Sequence, residues 1–248
     1  MKRFCSLLLL LALLCASLPA SAASKASPTP PPVELEETVA EEIPPEIEKL
    51  LEIVHAEWEE TAGKNLKKRN KYTQWYNNYE WEWCAGFVTW CMMEAGIPQE
   101  DYRTIEEGEK PGLYHATASA PGKMATGYSR MYRTTMIPQR GFVVVYGSKN
   151  SGSFWHVGFV YDVEKLSDGR YRLTTIEGNV NKYSVGMFVR DYDPHTAKKP
   201  GNLTLVPKEE RDREETKNFS YKYTYNDKGM YVNMFLMPWI PAGDSAGE

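Results

Sequence analysis

The stretch WCAGFVTWC, residues 83–91, decides how this chain can fold. It predicts an α-helix that begins near Cys84, because its apolar side chains recur at helical spacing. The members of that apolar face are Phe87, Val88, Cys91 and Ala95. Gly96 and Pro98 then predict the end of the helix. The helix is therefore short and largely apolar, and it opens on a cysteine.

A second amphipathic helix is predicted upstream of this one. Pro44 and Pro45 suit a helix start, and an apolar stripe at helical spacing follows them. The members of the stripe are Ile47, Leu50, Leu51, Val54 and Trp58. His55 lies beside this stripe, so we expect it to be a partly buried packing residue and not a catalytic one.

The pattern changes to β-strands after residue 141. Strands are predicted at residues 142–146, 156–163, 171–176, 185–190, 221–225 and 230–236. The pair Asp168-Gly169 predicts a tight hairpin between two of them, and residues 226–229 predict a last hairpin. Helices first and an antiparallel sheet afterwards indicate an α+β fold with the N-terminal helices packed on the sheet.

The N-terminus has the pattern of a secretory signal peptide. Lys2 and Arg3 precede an apolar run at residues 7–14, and small residues follow at the predicted cleavage site after Ala22. The alternative is a retained anchor. The predicted domains are a signal peptide at 1–22, a Pro/Glu-rich linker at 23–42, a catalytic domain at 43–240 and a tail at 241–248. We therefore expect a secreted, extracytoplasmic protein.

Composition narrows the function classes further. The chain has 248 residues, of which 42% are hydrophobic, and it shows no strongly basic patch for nucleic acid and no phosphate loop. It also lacks spaced zinc ligands and an Asp-rich calcium loop. We expect no cofactor, no metal, no nucleic-acid partner and no membrane contact after signal cleavage, while the oligomeric state stays open.

Two cysteines, Cys84 and Cys91, remain after signal cleavage. Seven residues along one helix separate their Cα atoms by about 10 Å, whereas a disulfide needs about 7 Å or less. Both are therefore expected to be free thiols. A helix N-terminus favours thiolate and offers N–H groups to an oxyanion, so Cys84 is the candidate nucleophile. The alternative is that Cys84 is a small buried apolar residue, which is the role we expect for Cys91.

A thiol nucleophile needs a base and a residue that orients the base. His156 is the candidate base, because it opens an apolar strand that can hold the imidazole at a rigid sheet edge. Glu177 and Asn179 end the strand that pairs with it, so either side chain is a candidate orienter. Glu177 is favoured, because a carboxylate also stabilises an imidazolium. The alternative is that residues 177–179 form a plain turn.

Four blocks of the chain together resemble the CHAP domain, the cysteine- and histidine-dependent amidohydrolases and peptidases. The blocks are residues 83–97, 141–146, 156–161 and 175–179, and residues 71–76 resemble the stretch that often precedes the CHAP cysteine. The resemblance implies a papain-like fold, peptidoglycan as substrate, Cys84 as nucleophile, His156 as base and Glu177 as third residue. Asn179 matches the family's asparagine after Glu-Gly. Phe142 departs from the family, which often has aspartate after Gly141.

Three functions are compatible with these motifs. The first is a secreted peptidoglycan hydrolase, an amidase or an endopeptidase, that works through a thioester. The second is a catalytically idle wall-binding module on the same fold, against which the combination of Cys84, His156, Glu177 and Asn179 argues. The third is an acyltransferase or transpeptidase that uses the same thioester. NlpC-type peptidases fit less well, because they typically have Asp-Cys-Ser-Gly at the nucleophile and a second histidine.

Overall fold

A computed structural model describes residues 42–74, 80, 82–97, 120–181, 183–196, 201–211, 223–224 and 229–241. These residues belong to one compact unit, Pro32–Glu248. The predicted signal peptide, the linker up to residue 41 and residues 242–248 of the predicted tail lie outside the described residues. The bounds of the four predicted segments therefore stay predictions.

Helices occupy the first part of the described chain. They are α1 (Pro45–Thr61), α2 (Lys71–Gln74), α3 (Cys84–Ala95) and α4 (Pro121–Arg130). α1 begins at the predicted proline pair, and its whole apolar stripe is buried. α3 begins at Cys84 and ends at Gly96, whose φ of +79° is the left-handed conformation that glycine tolerates. Both predicted helices are confirmed.

The strands form one sheet. They are β1 (Thr134–Thr135), β2 (Val143–Ser148), β3 (Gly152–Lys165), β4 (Tyr171–Val180), β5 (Ser184–Tyr192), β6 (Leu203–Leu205), β7 (Tyr223–Thr224) and β8 (Met230–Leu236). Their order is β1-β8-β2-β3-β4-β5-β6, with β7 on β5. All described pairings are antiparallel except β5 with β7. The α+β class with an antiparallel sheet is therefore confirmed.

The sheet curls, so that strands distant in its order approach each other. Three strands separate β5 from β8, yet the rings of Tyr192 and Phe235 lie 5.4 Å apart. Asn202, next to β6, donates to the carbonyl of Val232 at 2.8 Å and accepts from its N–H at 3.0 Å. These contacts bring one end of the sheet near its other half.

Two predictions about the strands are wrong, and one alternative, the plain turn at residues 177–179, is excluded. β7 pairs with β5 in parallel register, so the predicted hairpin with β8 does not form among the described residues. β3 begins at Gly152 and lies between β2 and β4, so His156 is inside an interior strand and not at a sheet edge. β4 continues to Val180, so Glu177 lies in a strand and not in a plain turn. The alternation of apolar and polar residues in a sequence identifies strands, but it does not identify the strands with which they pair or the residues at which they end.

The helices contact the sheet at particular residues. The rings of Phe87 on α3 and Phe159 on β3 lie 6.2 Å apart. Position 141 requires glycine for two reasons. A Cβ added at Gly141 would overlap Ile47 of α1, and the φ of Gly141 is +81°. Phe142, which stands where the resembled family often has aspartate, is fully buried against Trp239. The departure at Phe142 therefore adds to the core.

Candidate active site

Cys84 is the first residue of α3 and faces a cavity. Its side chain is 5% exposed, and the first backbone hydrogen bond of the helix, from Phe87 to the carbonyl of Trp83, is 2.8 Å long. The first N–H groups of a helix have no partner inside the helix. The thiol therefore lies at the positive end of the helix dipole, where thiolate is stabilised.

Aromatic side chains fix the start of α3 against the rest of the helical layer. The Trp83 indole donates to the carbonyl of Lys67 at 3.2 Å and stacks on Tyr72 with 5.0 Å between ring centroids. The Tyr72 hydroxyl donates to Glu57 of α1 at 2.5 Å. Because Trp83 is fully buried, the residue before the nucleophile is held rigidly.

His156 is held between Cys84 and Glu177. Its ring stacks near Tyr146, its direct partner on β2, with 6.1 Å between centroids. Its Nε2 atom lies 3.1 Å from Oε2 of Glu177 on β4. Glu177 therefore accepts a hydrogen bond from the Nε2–H group, which leaves Nδ1 as the ring nitrogen for the hydrogen bond with Cys84.

The other carboxylate oxygen of Glu177 accepts three hydrogen bonds. The donors to Oε1 are Arg190 at 2.6 Å, Thr175 at 2.7 Å and Tyr146 at 3.0 Å. Glu177 and Arg190 are each only 1% exposed. A buried carboxylate needs this degree of compensation, and Oε2 is left to face the imidazole.

These contacts favour the charged forms of both partners. Burial alone lowers the pKa of His156, but hydrogen bonds and charge interactions with Cys84 and Glu177 outweigh burial and raise that pKa to about 9. Burial alone raises the pKa of Glu177, but Arg190 and His156 outweigh burial and hold that pKa well below its usual value. At neutral pH the geometry therefore favours imidazolium beside carboxylate.

Two glycines make room for this arrangement. A Cβ added at Gly158 would lie 2.5 Å from Cγ of Glu177, and a Cβ added at Gly178 would lie 2.5 Å from Cβ of Phe87. Real Cβ atoms do not approach this closely, so both positions need glycine. Gly158 lets the stem of Glu177 cross β3, and Gly178 lets β4 pack on the first turn of α3.

Asn179 contacts the segment before the nucleophile and not His156 in the hydrogen bonds described. Its backbone is left-handed, with φ of 63°, and its Nδ2 donates to Oε2 of Glu82 at 2.6 Å. Lys68 pairs with the same carboxylate at 2.8 Å, and these two partners lower the pKa of Glu82. Asn179 therefore joins the end of β4 to the approach to α3, while Glu177 is the candidate that reaches the imidazole.

An open cavity gives access to the candidate nucleophile. Its volume is about 390 Å³. Its lining residues are Glu82, Cys84, Trp155, His156, Glu177, Asn179, Val180, Asn181 and Met230. All four predicted site residues are among them. Trp155 is 39% exposed, so it forms an accessible aromatic wall beside the thiol.

The other histidines and cysteines have different surroundings. His55 stacks on Tyr161 with 5.4 Å between ring centroids, as expected of a packing residue. His195 is exposed in the loop after β5, and His115 lies outside the described residues. Cys91 is fully buried, and both Cys84 and Cys91 are free thiols as predicted. Cys5 and Cys15 also lie outside the described residues.

The sequence motifs did not identify the residues behind Glu177. Tyr146 and Thr175 lie inside predicted strands, where they resemble ordinary β-formers. Arg190 carried a signal that could have been used, because a charge at the end of an apolar strand must find a buried partner. Gly158 carried no comparable signal, since only the crossing of Glu177 makes its missing side chain necessary.

The described residues hold no group of three or more His, Cys, Asp or Glu side chains able to bind a metal ion. Within the same part of the chain, no helix combines the length and the apolar character that a membrane span requires.

Comparison with known families supports the motif-based resemblance. The CHAP domain model matches residues 74–179, a segment that includes Cys84, His156, Glu177 and Asn179. No curated protein and no solved structure matches the chain. Members of the matched family are generally cysteine- and histidine-dependent amidohydrolases or peptidases. Residues 74–179 are thus a match to the CHAP domain family, as the sequence motifs had indicated.

Proposed function

We propose that this protein is a secreted bacterial cysteine hydrolase that cleaves amide bonds in peptidoglycan. The observation that carries the proposal is the array of Cys84, His156 and Glu177 around one cavity. The CHAP match over the same residues supports peptidoglycan as the substrate class. A cysteine at a helix start, a histidine on a sheet and a third residue behind the imidazole also support a papain-like arrangement.

Acylation would begin with the Cys84 thiolate and the His156 imidazolium. The Cys84 sulfur attacks the carbonyl carbon of the scissile amide, and the negative charge moves to the carbonyl oxygen. N–H groups at the start of α3 are suited to bind that oxyanion. His156 then donates its Nδ1 proton to the leaving amine, and the carbon–nitrogen bond breaks. The products are a free amine and a thioester on Cys84.

Deacylation would use the same residues in reverse. Neutral His156 takes a proton from water, and the hydroxide formed attacks the thioester carbonyl. The carbon–sulfur bond then breaks, releasing a carboxylic acid and the Cys84 thiolate. Glu177 stays ionised throughout and stabilises the imidazolium that forms in each half-reaction.

The proposal that the protein is exported is based on residues 1–22, which have the signal-peptide pattern. The bond cut is either the amide between the sugar lactyl group and the first peptide residue or a peptide bond of the stem or cross-bridge. The cavity beside Cys84 has a volume of about 390 Å³ and is lined by Trp155 and Met230 as well as by polar side chains. Both an amidase and an endopeptidase therefore fit the site.

The decisive experiment is mass spectrometry of purified peptidoglycan after digestion. The wild-type protein is expected to release fragments with new amino and carboxyl termini, and Cys84→Ala is expected to release none. Cys91→Ala is the matched control and should release the same fragments as the wild type. An added amine that appears in the products would indicate acyl transfer. Absence of fragments, from protein whose Cys84 is intact, would contradict the proposal.

A further inference from the structure

Arg190 is a buried cation that the proposed reaction does not itself use. It lies on β5 with 1% of its side chain exposed. Its guanidinium carbon is 4.5 Å from the ring centroid of Phe188 and 5.4 Å from that of Tyr146. Burying a charge among aromatic rings is costly unless an opposite charge compensates for it. The opposite charge here is Glu177, 2.6 Å away.

The two carboxylate oxygens of Glu177 have different partners, and Arg190 is one of those that bind Oε1. Oε1 of Glu177 receives Arg190, Thr175 and Tyr146, which leaves Oε2 directed at Nε2 of His156. Charges therefore alternate over three successive groups, the guanidinium of Arg190, the carboxylate of Glu177 and the imidazolium of His156, and the thiol of Cys84 follows the imidazolium. Arg190 does not contact the reacting atoms, so any effect on them passes through Glu177.

We propose that Arg190 is a positioning residue that, through Glu177, limits how tightly His156 holds its proton. This inference rests on the proposed function, because it assigns Arg190 a purpose within that same site. The positive charge of Arg190 offsets part of the negative charge of Glu177. Glu177 therefore stabilises the imidazolium of His156 less than it would without Arg190. The benefit falls on deacylation, which needs His156 in its neutral form.

Charged or titratable groups face His156 from each neighbouring element. Cys84 faces it from α3, Tyr146 from β2 and Glu177 from β4. Burial raises the pKa of Tyr146, so its phenol stays neutral over the range in which His156 titrates. Arg190 is the cation beyond Glu177, and its removal would leave the carboxylate to act on the imidazole alone.

The test is the pH dependence of Arg190→Met compared with that of Glu177→Gln. Arg190→Met is expected to raise the apparent pKa of His156 by roughly one to two units, whereas Glu177→Gln lowers it. The chain has four histidines, so NMR titration can follow His156 in the full chain without substrate. This readout remains valid if peptidoglycan is not the substrate, which separates the two proposals.

Two further variants act as controls. Arg172→Met removes another buried arginine, which pairs with Asp191 at 2.8 Å. It lies five residues from Glu177 along β4, about 16 Å away, so the titration of His156 should not move. Arg190→Lys keeps the charge and should restore most of the wild-type titration.

The kinetic consequence is measurable as well. Arg190→Met should slow deacylation near neutral pH, so that acyl-enzyme accumulates and the alkaline limb of the rate profile moves to higher pH. If Arg190→Met does not fold, Tyr146→Phe removes one donor to Glu177 and should move the titration in the same direction by a smaller amount. An unchanged or lowered pKa of His156 in the folded variants would overturn the proposal.

Discussion

The two cysteines of α3 lie near two buried glutamates, and the comparison between them explains why only Cys84 is a candidate nucleophile. Cys91 is fully buried and is close enough to Glu57 to be affected by its charge. Glu57 binds the Tyr72 hydroxyl and pairs with Lys71 at 2.7 Å. Burial and then Glu57 raise the pKa of Cys91 well above its usual value. Cys91 is therefore held as a neutral thiol.

Cys84 also has a buried glutamate nearby, Glu177, but a histidine lies between the two. Glu177 also binds a tyrosine hydroxyl and a cation, but His156 lies between this carboxylate and the thiol. A carboxylate beside a thiol disfavours thiolate, whereas a carboxylate beside an imidazole favours imidazolium, which in turn favours thiolate. The charge of Glu57 acts directly on the Cys91 thiol and disfavours its thiolate, whereas the charge of Glu177 acts on the intervening imidazole and favours imidazolium.

Removing the two thiols should give the largest contrast. Cys84→Ala is expected to lower turnover of peptidoglycan by roughly 10⁴-fold or more, because no other described residue that lines the cavity carries a thiol, hydroxyl or amine. Cys91→Ala should keep turnover within about twofold and lower the free energy of unfolding by about 1 kcal/mol. Turnover assays and denaturant melts check both. Full activity in Cys84→Ala would refute its assignment.

Removing α1, the helix that carries Glu57, tests whether this helix is needed for the fold. A chain beginning at Ile43 should keep its melting temperature, whereas one beginning at Ala62 should lose its fold. It would lose the five buried apolar side chains of α1, each contributing roughly 1.5–3 kcal/mol, against a typical domain stability of about 5–15 kcal/mol. Circular dichroism during heating measures the difference, and equal melting curves would contradict this prediction.

Glu177→Gln should remove the activating effect of the carboxylate while keeping its shape. The raised pKa of His156, about 9, sets the expected alkaline limit of activity. Without the carboxylate that pKa falls, so the alkaline limb should move to lower pH and turnover should fall by roughly 10²-fold. Asn179→Ala, the comparison variant, should lower turnover without moving the limb, because Asn179 bonds to Glu82. A moved limb in Asn179→Ala alone would make Asn179 the orienter.

Glu57→Gln should have the smallest effect. It weakens the contacts of α1 with Tyr72 and Lys71 and should cost about 1–3 kcal/mol of unfolding free energy. The pH profile of activity should keep its shape, since the partners described for this carboxylate are Tyr72 and Lys71 and not a histidine. Denaturant melts and a pH profile of the same protein measure the two quantities, and a shifted alkaline limb would show that the two glutamates are coupled.

Local features of the sequence predicted the helices well. The apolar stripe of α1 and the Gly96 end of α3 follow from periodicity and from backbone preference, which act over a few residues. The Asp168-Gly169 turn likewise predicted that β3 and β4 pair, and Glu177 follows from that pairing. These features placed Cys84, His156 and Glu177 in one site.

Features that depend on long-range contacts could not be predicted. β7 pairs with β5 in parallel register. No local sequence pattern predicts this pairing. Arg190 reaches Glu177 from the next strand, and the need for Gly158 appears only when the stem of Glu177 crosses it. Asn179 was the second of two candidates to orient the imidazole, but a register shift in the pairing after Glu177 and a left-handed backbone direct its side chain to Glu82.

The rate at which iodoacetamide alkylates each cysteine tests the central claim most directly. Peptide mass spectrometry at pH 7 is expected to show Cys84 reacting at least roughly 100-fold faster than Cys91, because Cys84 lies at a helix start, beside His156 and at an open cavity, whereas Cys91 is fully buried. His156→Gln should slow Cys84 markedly, which separates activation from access. Equal rates for the two cysteines, or an unchanged Cys84 rate in His156→Gln, would contradict the claim that His156 activates Cys84.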